Sequence, residues 1–424
     1  MPNLEEEMRI QNGSAPDRTF YTPEQLAYEQ VQRMESSRGQ LLLASCRSGT
    51  YLARRVIDRY KELLTEAGAG NGLLHLEEID YQFANGETCV RLDQHVGGYD
   101  VFLFQSLVDP RTTPRIDQNY MAFLIAARTF REHGASHVTA VLPYLAYGRQ
   151  DKPTEFMREP TTARLMADLA TTAGIDRLIT WHPHCGQLRG FYGGMPANML
   201  SSLSLFVEAF QAFEGREDVI AVAPDAGATK QVLYFCRALG LKGAVASKFR
   251  PQADEAVITQ IVGDFAGKRT AIILDDELST GGTLYALVEK LVRETPVREV
   301  YFGVSHNRCV PIALDRLKTL HEQYGLRQVI TTNSIPQTEP FTSLPFFSIK
   351  CLSDTLSRSI NRIHYSRSVS EVFYRPSLPR FLGPWPVSRP IRCGRSPDRA
   401  TRRTVWRPAE AVRSAVAGLL TDSL

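Results

Sequence analysis

The 424 residues carry 49 Lys and Arg against 46 Asp and Glu, a formal net charge of +3, and a chain of this length predicts two or three domains. Ten of the arginines, against three acids, fall in residues 375–424, leaving 39 basic and 43 acidic residues elsewhere. A mildly acidic body excludes the basic stripe of a nucleic-acid surface. The seven cysteines (Cys46, Cys89, Cys185, Cys236, Cys309, Cys351, Cys393) never stand in a CxxC spacing, MPNLEEEMRI lacks an apolar core, and no run approaches the roughly 20 apolar residues of a membrane span. The expectation is a cytoplasmic protein with reduced thiols, no membrane and no nucleic-acid partner.

In chain order, residues 1–39 are polar and broken by Asn-Gly, Ala-Pro and Ser-Ser, with one helix expected to open at Thr22-Pro23-Glu24. They read as an extension. A strand at Leu41 to Ala44 then begins a series: helix Tyr51 to Ala67, the segment FANGE (Phe83 to Glu87), strand Asp100 to Ser106, helix Gln118 to Glu132, strand Val138 to Leu142, helix Thr161 to Ala173, strand Arg177 to Trp181. Strands alternating with helices predict a parallel sheet wound on both faces. After Ser201 the pattern repeats: helix Leu203 to Phe213, strand Val219 to Val222, helix Ala228 to Leu239, strand Ala244 to Ser247, strand Ala271 to Leu274, helix Leu284 to Val292, strand Val300 to Val304. The fold class is therefore α/β, with two doubly wound, mostly parallel sheets. Beyond Tyr374, seven prolines and ten arginines without a lysine read as a disordered tail.

The stretch Ala271 to Leu284, AIILDDELSTGGTL, carries the strongest chemical signal. An apolar strand ends in paired acids and opens through a Ser/Thr/Gly loop into a helix. Gly281 and Gly282 let backbone approach a ligand, while unpaired N–H groups at the helix start and the Ser279, Thr280 and Thr283 hydroxyls suit a phosphate. Asp275 and Asp276 point in opposite directions, so one meets sugar hydroxyls or a hydrated Mg²⁺ and the other orients the loop. Elsewhere, Arg149 and Lys152 of RQDK (Arg149 to Lys152) suit polyphosphate oxygens. Taken alone, RQDK is more often a solvated loop, FANGE a turn, PDAG (Pro224 to Gly227) a turn into a helix, and Lys248-Phe249-Arg250 a solvated pair.

The central loop resembles the phosphoribosyl diphosphate loop of type I phosphoribosyltransferases and ribose-phosphate diphosphokinases. Together with RQDK and PDAGATK, in this order and spacing from about Leu41 to about Tyr374, it resembles the ribose-phosphate diphosphokinase family. The resemblance implies transfer of the diphosphoryl group of MgATP to the C1 hydroxyl of ribose 5-phosphate, giving AMP and 5-phosphoribosyl 1-diphosphate for nucleotide biosynthesis. It implies ATP contacts at Arg149 and Gln150, and at Phe83, Asn85 and Glu87 acting on a neighbouring subunit of a homo-oligomer. Metal contacts are implied at His184 and Asp225, and catalytic cations at Lys248 and Arg250. Ribose 5-phosphate binding is implied at Asp275, Asp276, Ser279, Thr280, Gly281, Gly282 and Thr283. The expected division is an extension (1–39), an ATP-side domain (40–200), a ribose 5-phosphate-side domain (201–352), a segment returning to the first domain (353–374), and the tail (375–424).

Three departures stand out. His182 occupies a position where the family often has Asp; as a pair with His184 it shares a strand face, but without third and fourth ligands for Zn²⁺ it reads as packing. Ser279 stands where many members have Asp and marks a subclass, and Glu277 replaces a usual apolar residue. A phosphoribosyltransferase would share the central loop without needing FANGE or RQDK. A non-catalytic regulatory paralogue would bind nucleotide without needing His184, Lys248 and Arg250.

Overall fold

The computed structural model describes residues 34–69, 72–112, 116–249 and 257–373, all within one compact unit. The helix expected at Thr22 and the tail lie outside the described residues. The first sheet runs in the order Glu35–Ser36, Gly39–Ser45, Tyr99–Phe104, His137–Val141, Arg177–Trp181, Ala197–Leu200, with Leu74–Leu76 also paired to Gly39–Ser45. All pairings are parallel except that of the short Glu35–Ser36 strand. Sheet structure thus begins before Gln40, because the turn after Ser36 returns Gly39 and Gln40 onto it.

Such strands are buried on both faces, which is why LLLA and VFLF are continuous apolar runs. Helices Thr50–Glu66, Ile116–Glu132 and Thr162–Ala173 cover them. Helix Ser353–His364 packs beside Thr50–Glu66: Leu356, Ile360 and Ile363 join the cluster of Leu41, Leu43 and Tyr60. Ser357 Oγ donates to the Val56 carbonyl at 3.0 Å and Asn361 Nδ2 to the Tyr60 hydroxyl at 2.8 Å. At its end, His364 and Asp100 are both fully buried and 2.9 Å apart, and Arg38 grips the same carboxylate with two bonds of 3.0 Å. Removing Arg38 would leave the buried Asp100 carboxylate without its cation, a loss of roughly 3–5 kcal/mol.

The second sheet orders Val257–Val262, Lys242–Phe249, Val219–Ala223, Thr270–Leu278, Glu299–Asn307, Leu326–Thr332, Phe347–Lys350. Only its Val257–Val262 edge is antiparallel. Thr270–Leu278 lies at the middle, so its apolar half, Thr270 to Leu274, is buried throughout. Helix Leu203–Ala209 ends earlier than its sequence pattern predicts and passes into a single tight turn at Gln211–Phe213. No helix among the described residues is long and apolar enough to cross a membrane.

Candidate active site

The central strand of the second sheet does not stop at Leu274 as its apolar run suggests. Pairing with Glu299–Asn307 continues as far as Leu278 opposite Asn307, so Asp275, Asp276 and Glu277 sit within the strand rather than beyond it. Gly281 then takes a left-handed φ of 75°. A Cβ there would meet only ordinary contacts, the nearest being Leu278 Cδ1 at 3.5 Å, so conformation rather than space demands glycine. Helix Gly282–Glu294 starts at once, without a side-chain cap, and Tyr285 N–H bonds the Gly281 carbonyl at 2.9 Å. The earlier N–H groups of the first turn have no acceptor within the helix and stand at the positive end of its dipole, an arrangement suited to an anion. Arg316 Nη1 donates to the Thr280 carbonyl at 2.8 Å and fixes the loop from the neighbouring helix Pro311–Gln323.

A cavity of about 1000 Å³ opens over this helix start, at the upper end of the range for small-molecule sites. Ser279, Thr280, Gly281, Gly282 and Thr283 line it, with Asp275, Asp276 and Asp225; from the first half of the chain come Arg149 and His184. Asp225 Oδ1 accepts the Gly227 and Ala228 N–H groups at 2.9 and 3.2 Å, which shapes its turn at the mouth of helix Thr229–Leu239.

Electrostatics separate the two strand acids. Burial and the neighbouring Asp276 charge push Asp275 well above the usual carboxylate range. Burial would also raise Asp276, but the hydrogen bond and charge of His184, 2.6 Å away, outweigh it and hold Asp276 below that range. His184 is raised in return, chiefly by the same hydrogen bond. The arrangement keeps one fixed anion beside one acid that readily holds a proton.

Residues at the wall of the cavity and beneath it tie the two sheets together. Glu277 accepts the Tyr144 hydroxyl at 2.9 Å, and its other oxygen lies 3.5 Å from Arg149 and from Arg308. His306 is buried with Nε2 3.1 Å from the His182 carbonyl and Nδ1 2.7 Å from Ser334 Oγ. Because a carbonyl only accepts, His306 carries its proton on Nε2. His182 takes a left-handed φ of 39° and its Nδ1 meets Ser202 Oγ at 2.9 Å, so it belongs to the packing between the sheets, as its sequence context suggests. Sequence reading missed Tyr144, Arg308 and His306. Tyr144 stands five residues before the RQDK segment, whereas Arg308 and His306 follow a strand expected to end at Val304.

Not every expected site residue lines this cavity. Gln150 is exposed and engages through its backbone, its N–H to the Tyr147 carbonyl at 2.9 Å. Phe83, Asn85 and Glu87 occupy the turn of a two-stranded hairpin, Asp80–Gln82 with Thr88–Val90. Phe83 is half exposed, stacked edge-on against Tyr81 at 5.3 Å, and Glu87 N–H bonds Asn85 Oδ1 at 3.1 Å. Lys248 belongs by its backbone to strand Lys242–Phe249, one residue after Ser247, which lines the cavity. Arg250 lies outside the described residues.

A crystal structure of phosphoribosylpyrophosphate synthetase from Mycobacterium smegmatis superposes with a TM-score of 0.64 at 31% identity, covering 77% of this chain and 99% of that one. Two mostly parallel sheets with the loop and acids described above define an α/β protein of the phosphoribosyltransferase-like class. The pattern for the N-terminal domain of ribose phosphate pyrophosphokinase matches residues 41–174. Ribose-phosphate pyrophosphokinase of Caldanaerobacter subterraneus subsp. tengcongensis is 33% identical over 291 residues, 69% of this chain and 88% of the relative. Ribose-phosphate pyrophosphokinase A of Dictyostelium discoideum is 34% identical over 292 residues, with the same coverage. The chain belongs to the ribose-phosphate pyrophosphokinase family, which is the diphosphokinase family of its motifs under another name.

Proposed function

We propose that this protein is an active ribose-phosphate diphosphokinase, transferring the diphosphoryl group of MgATP to the C1 hydroxyl of ribose 5-phosphate. The observation that carries the reading is a single cavity joining a phosphate-suited helix start, two acids of unlike proton affinity and a cation from the other half of the chain. In the reaction the C1 oxygen forms a bond to the β-phosphorus and the bond from that phosphorus to the α,β-bridging oxygen breaks. AMP leaves with that oxygen and the hydroxyl proton is released.

The 5-phosphate is assigned to the N–H groups and hydroxyls of residues 279–283, and the ribose hydroxyls to Asp275 and Asp276, as hydrogen-bond acceptors at the strand end. Arg149 is assigned to ATP phosphate oxygens, and Gln150 to the same nucleotide. Lys248 and Arg250 are assigned to the moving diphosphoryl group, whose negative charge spreads over its oxygens in the transition state. By this reading the first sheet forms the ATP half and the second the ribose 5-phosphate half.

Magnesium suits the site chemically. Among the described residues no three His, Cys, Asp or Glu side chains form a metal cage, but Mg²⁺ commonly takes one or two carboxylates together with phosphates and waters. Asp225 and His184, both lining the cavity, are the residues that would hold it. When bound, the ion neutralises charge on the diphosphate oxygens.

The exposed hairpin turn with Phe83, Asn85 and Glu87 supports a homo-oligomer in which this turn holds adenine in a neighbouring subunit's site: the ring stacks on the base and the polar pair reads its edge. A cytoplasmic location accompanies the reading. Purified protein should release AMP from ATP only when ribose 5-phosphate is present. Nucleotide binding without AMP release would instead mark a regulatory paralogue, and consumption of 5-phosphoribosyl 1-diphosphate with a free base would mark a phosphoribosyltransferase.

A further inference from the structure

Glu277 lies on the wall of the cavity, at the point where the two halves of the chain meet. Its side chain is only 3% exposed. One carboxylate oxygen accepts the hydroxyl of Tyr144, buried and edge-on to the His306 ring at 5.0 Å. The other oxygen lies 3.5 Å from Nη1 of both Arg149 and Arg308.

We infer that Glu277 is a positioning residue that holds Arg149 ready for the ATP phosphates, an inference that rests on the function proposed above. Three features favour positioning over sequestration. The carboxylate is shared between two guanidinium groups, so it does not fully neutralise either of them. A separation of 3.5 Å is longer than the roughly 2.7–2.9 Å of a tight charge-assisted bond, so Arg149 is guided rather than locked. Its side chain is 41% exposed and lines the cavity, which leaves further N–H donors of the guanidinium for a phosphate. A free arginine must give up its rotamer freedom when a ligand binds; one already aimed gives up less, and the difference appears as affinity. Tyr144 fixes the carboxylate, the carboxylate aims the guanidinium, and the strand carrying Glu277 also carries Asp276 into the same cavity.

The test is titration of the full-length protein with the Mg²⁺ complex of α,β-methylene-ATP, whose scissile bond is blocked. Glu277→Gln keeps the shape and an acceptor for Tyr144 but removes the charge. It should weaken binding about tenfold, a typical effect for one charge-assisted contact, and leave the KM for ribose 5-phosphate unchanged. In an Arg149→Ala background the same substitution should add no further loss, because Glu277 acts through Arg149. If Glu277→Gln lowers the Tm below the assay temperature, Glu277→Asp, which withdraws the charge by one methylene, reads the same loss in a more conservative variant. Unchanged affinity, tighter affinity, or an equal loss in the Arg149→Ala background would each overturn the inference alone. Wild-type protein that does not bind the analogue would overturn the proposed function and this inference together.

Discussion

Asp276 Oδ2 lies 2.6 Å from His184 Nδ1, joining the central strand of the second sheet to the turn that follows strand Arg177–Trp181 of the first. The contact raises the histidine and lowers the acid. A raised histidine contributes its full stability below its ordinary value of 6.5 and loses it as pH climbs through the folded value. A lowered acid contributes fully above 3.8 and loses that as pH falls through its folded value. The pair is therefore at full strength between those two values.

Asp276→Asn should drop the His184 titration midpoint towards the ordinary histidine value, read by NMR of the ring. Turnover should fall about 100-fold or more, the scale of losing one fixed electrostatic group in an active site. A His184 midpoint that does not move would contradict the coupling.

Lys248→Ala and Arg250→Ala should each slow turnover on the order of 10³-fold while leaving ATP binding nearly intact, because their charge acts chiefly on the transition state. Single-turnover kinetics beside equilibrium binding separate the two effects. Near-normal kcat in either variant would refute their catalytic assignment.

If the Phe83, Asn85 and Glu87 turn serves a neighbouring subunit, Glu87→Ala and Lys248→Ala damage one site from two chains. Each variant alone should be nearly inactive. Where two such chains exchange turns in a mixed pair, one site receives both lesions and the other neither. Random co-refolding of equal amounts then makes half the pairs mixed with half their sites intact, so about a quarter of wild-type activity should return. Mixed pairs without rescue would show that Glu87 acts within its own chain or not at all.

His306 predicts an acid limit. Burial, offset only in part by its bond to the His182 carbonyl, lowers it from 6.5 to about 4. The folded state favours the neutral ring, so its contribution is present above 6.5 and is lost as pH falls towards 4. The loss is on the order of 3 kcal/mol. His182, also lowered to about 4 by burial, acts in the same direction, while Asp275, raised, acts in the opposite one. Comparison with His306→Gln isolates the first term, since glutamine still donates to the His182 carbonyl. Urea melts from pH 7 to pH 4 should show a shallower decline in the variant; parallel curves would reject the assignment.

Local sequence determined what local physics governs. Alternating apolar runs and amphipathic stretches specified the central strands of both sheets and the helices between them, and the Ser279 to Thr283 loop announced a phosphate-suited helix start because Gly281 supplies a left-handed turn that other residues resist. Phe347–Lys350 was not legible in the same way, since it is a short, half-exposed edge strand whose pairing to Leu326–Thr332 shapes it. Asp275, Asp276 and Glu277 read as the end of a strand; the ladder to Glu299–Asn307 keeps them inside it, a long-range pairing that no window around them encodes. The same holds for the site. His184 with Asp276, Arg149 with Glu277, and His306 with the His182 carbonyl lie 92 to 128 residues apart along the chain, and their contacts exist only once the chain has folded and brought residues of the two sheets together. The acids and cations were visible as residue types, but which of them share a carboxylate, and which stay neutral, is decided by burial and distance.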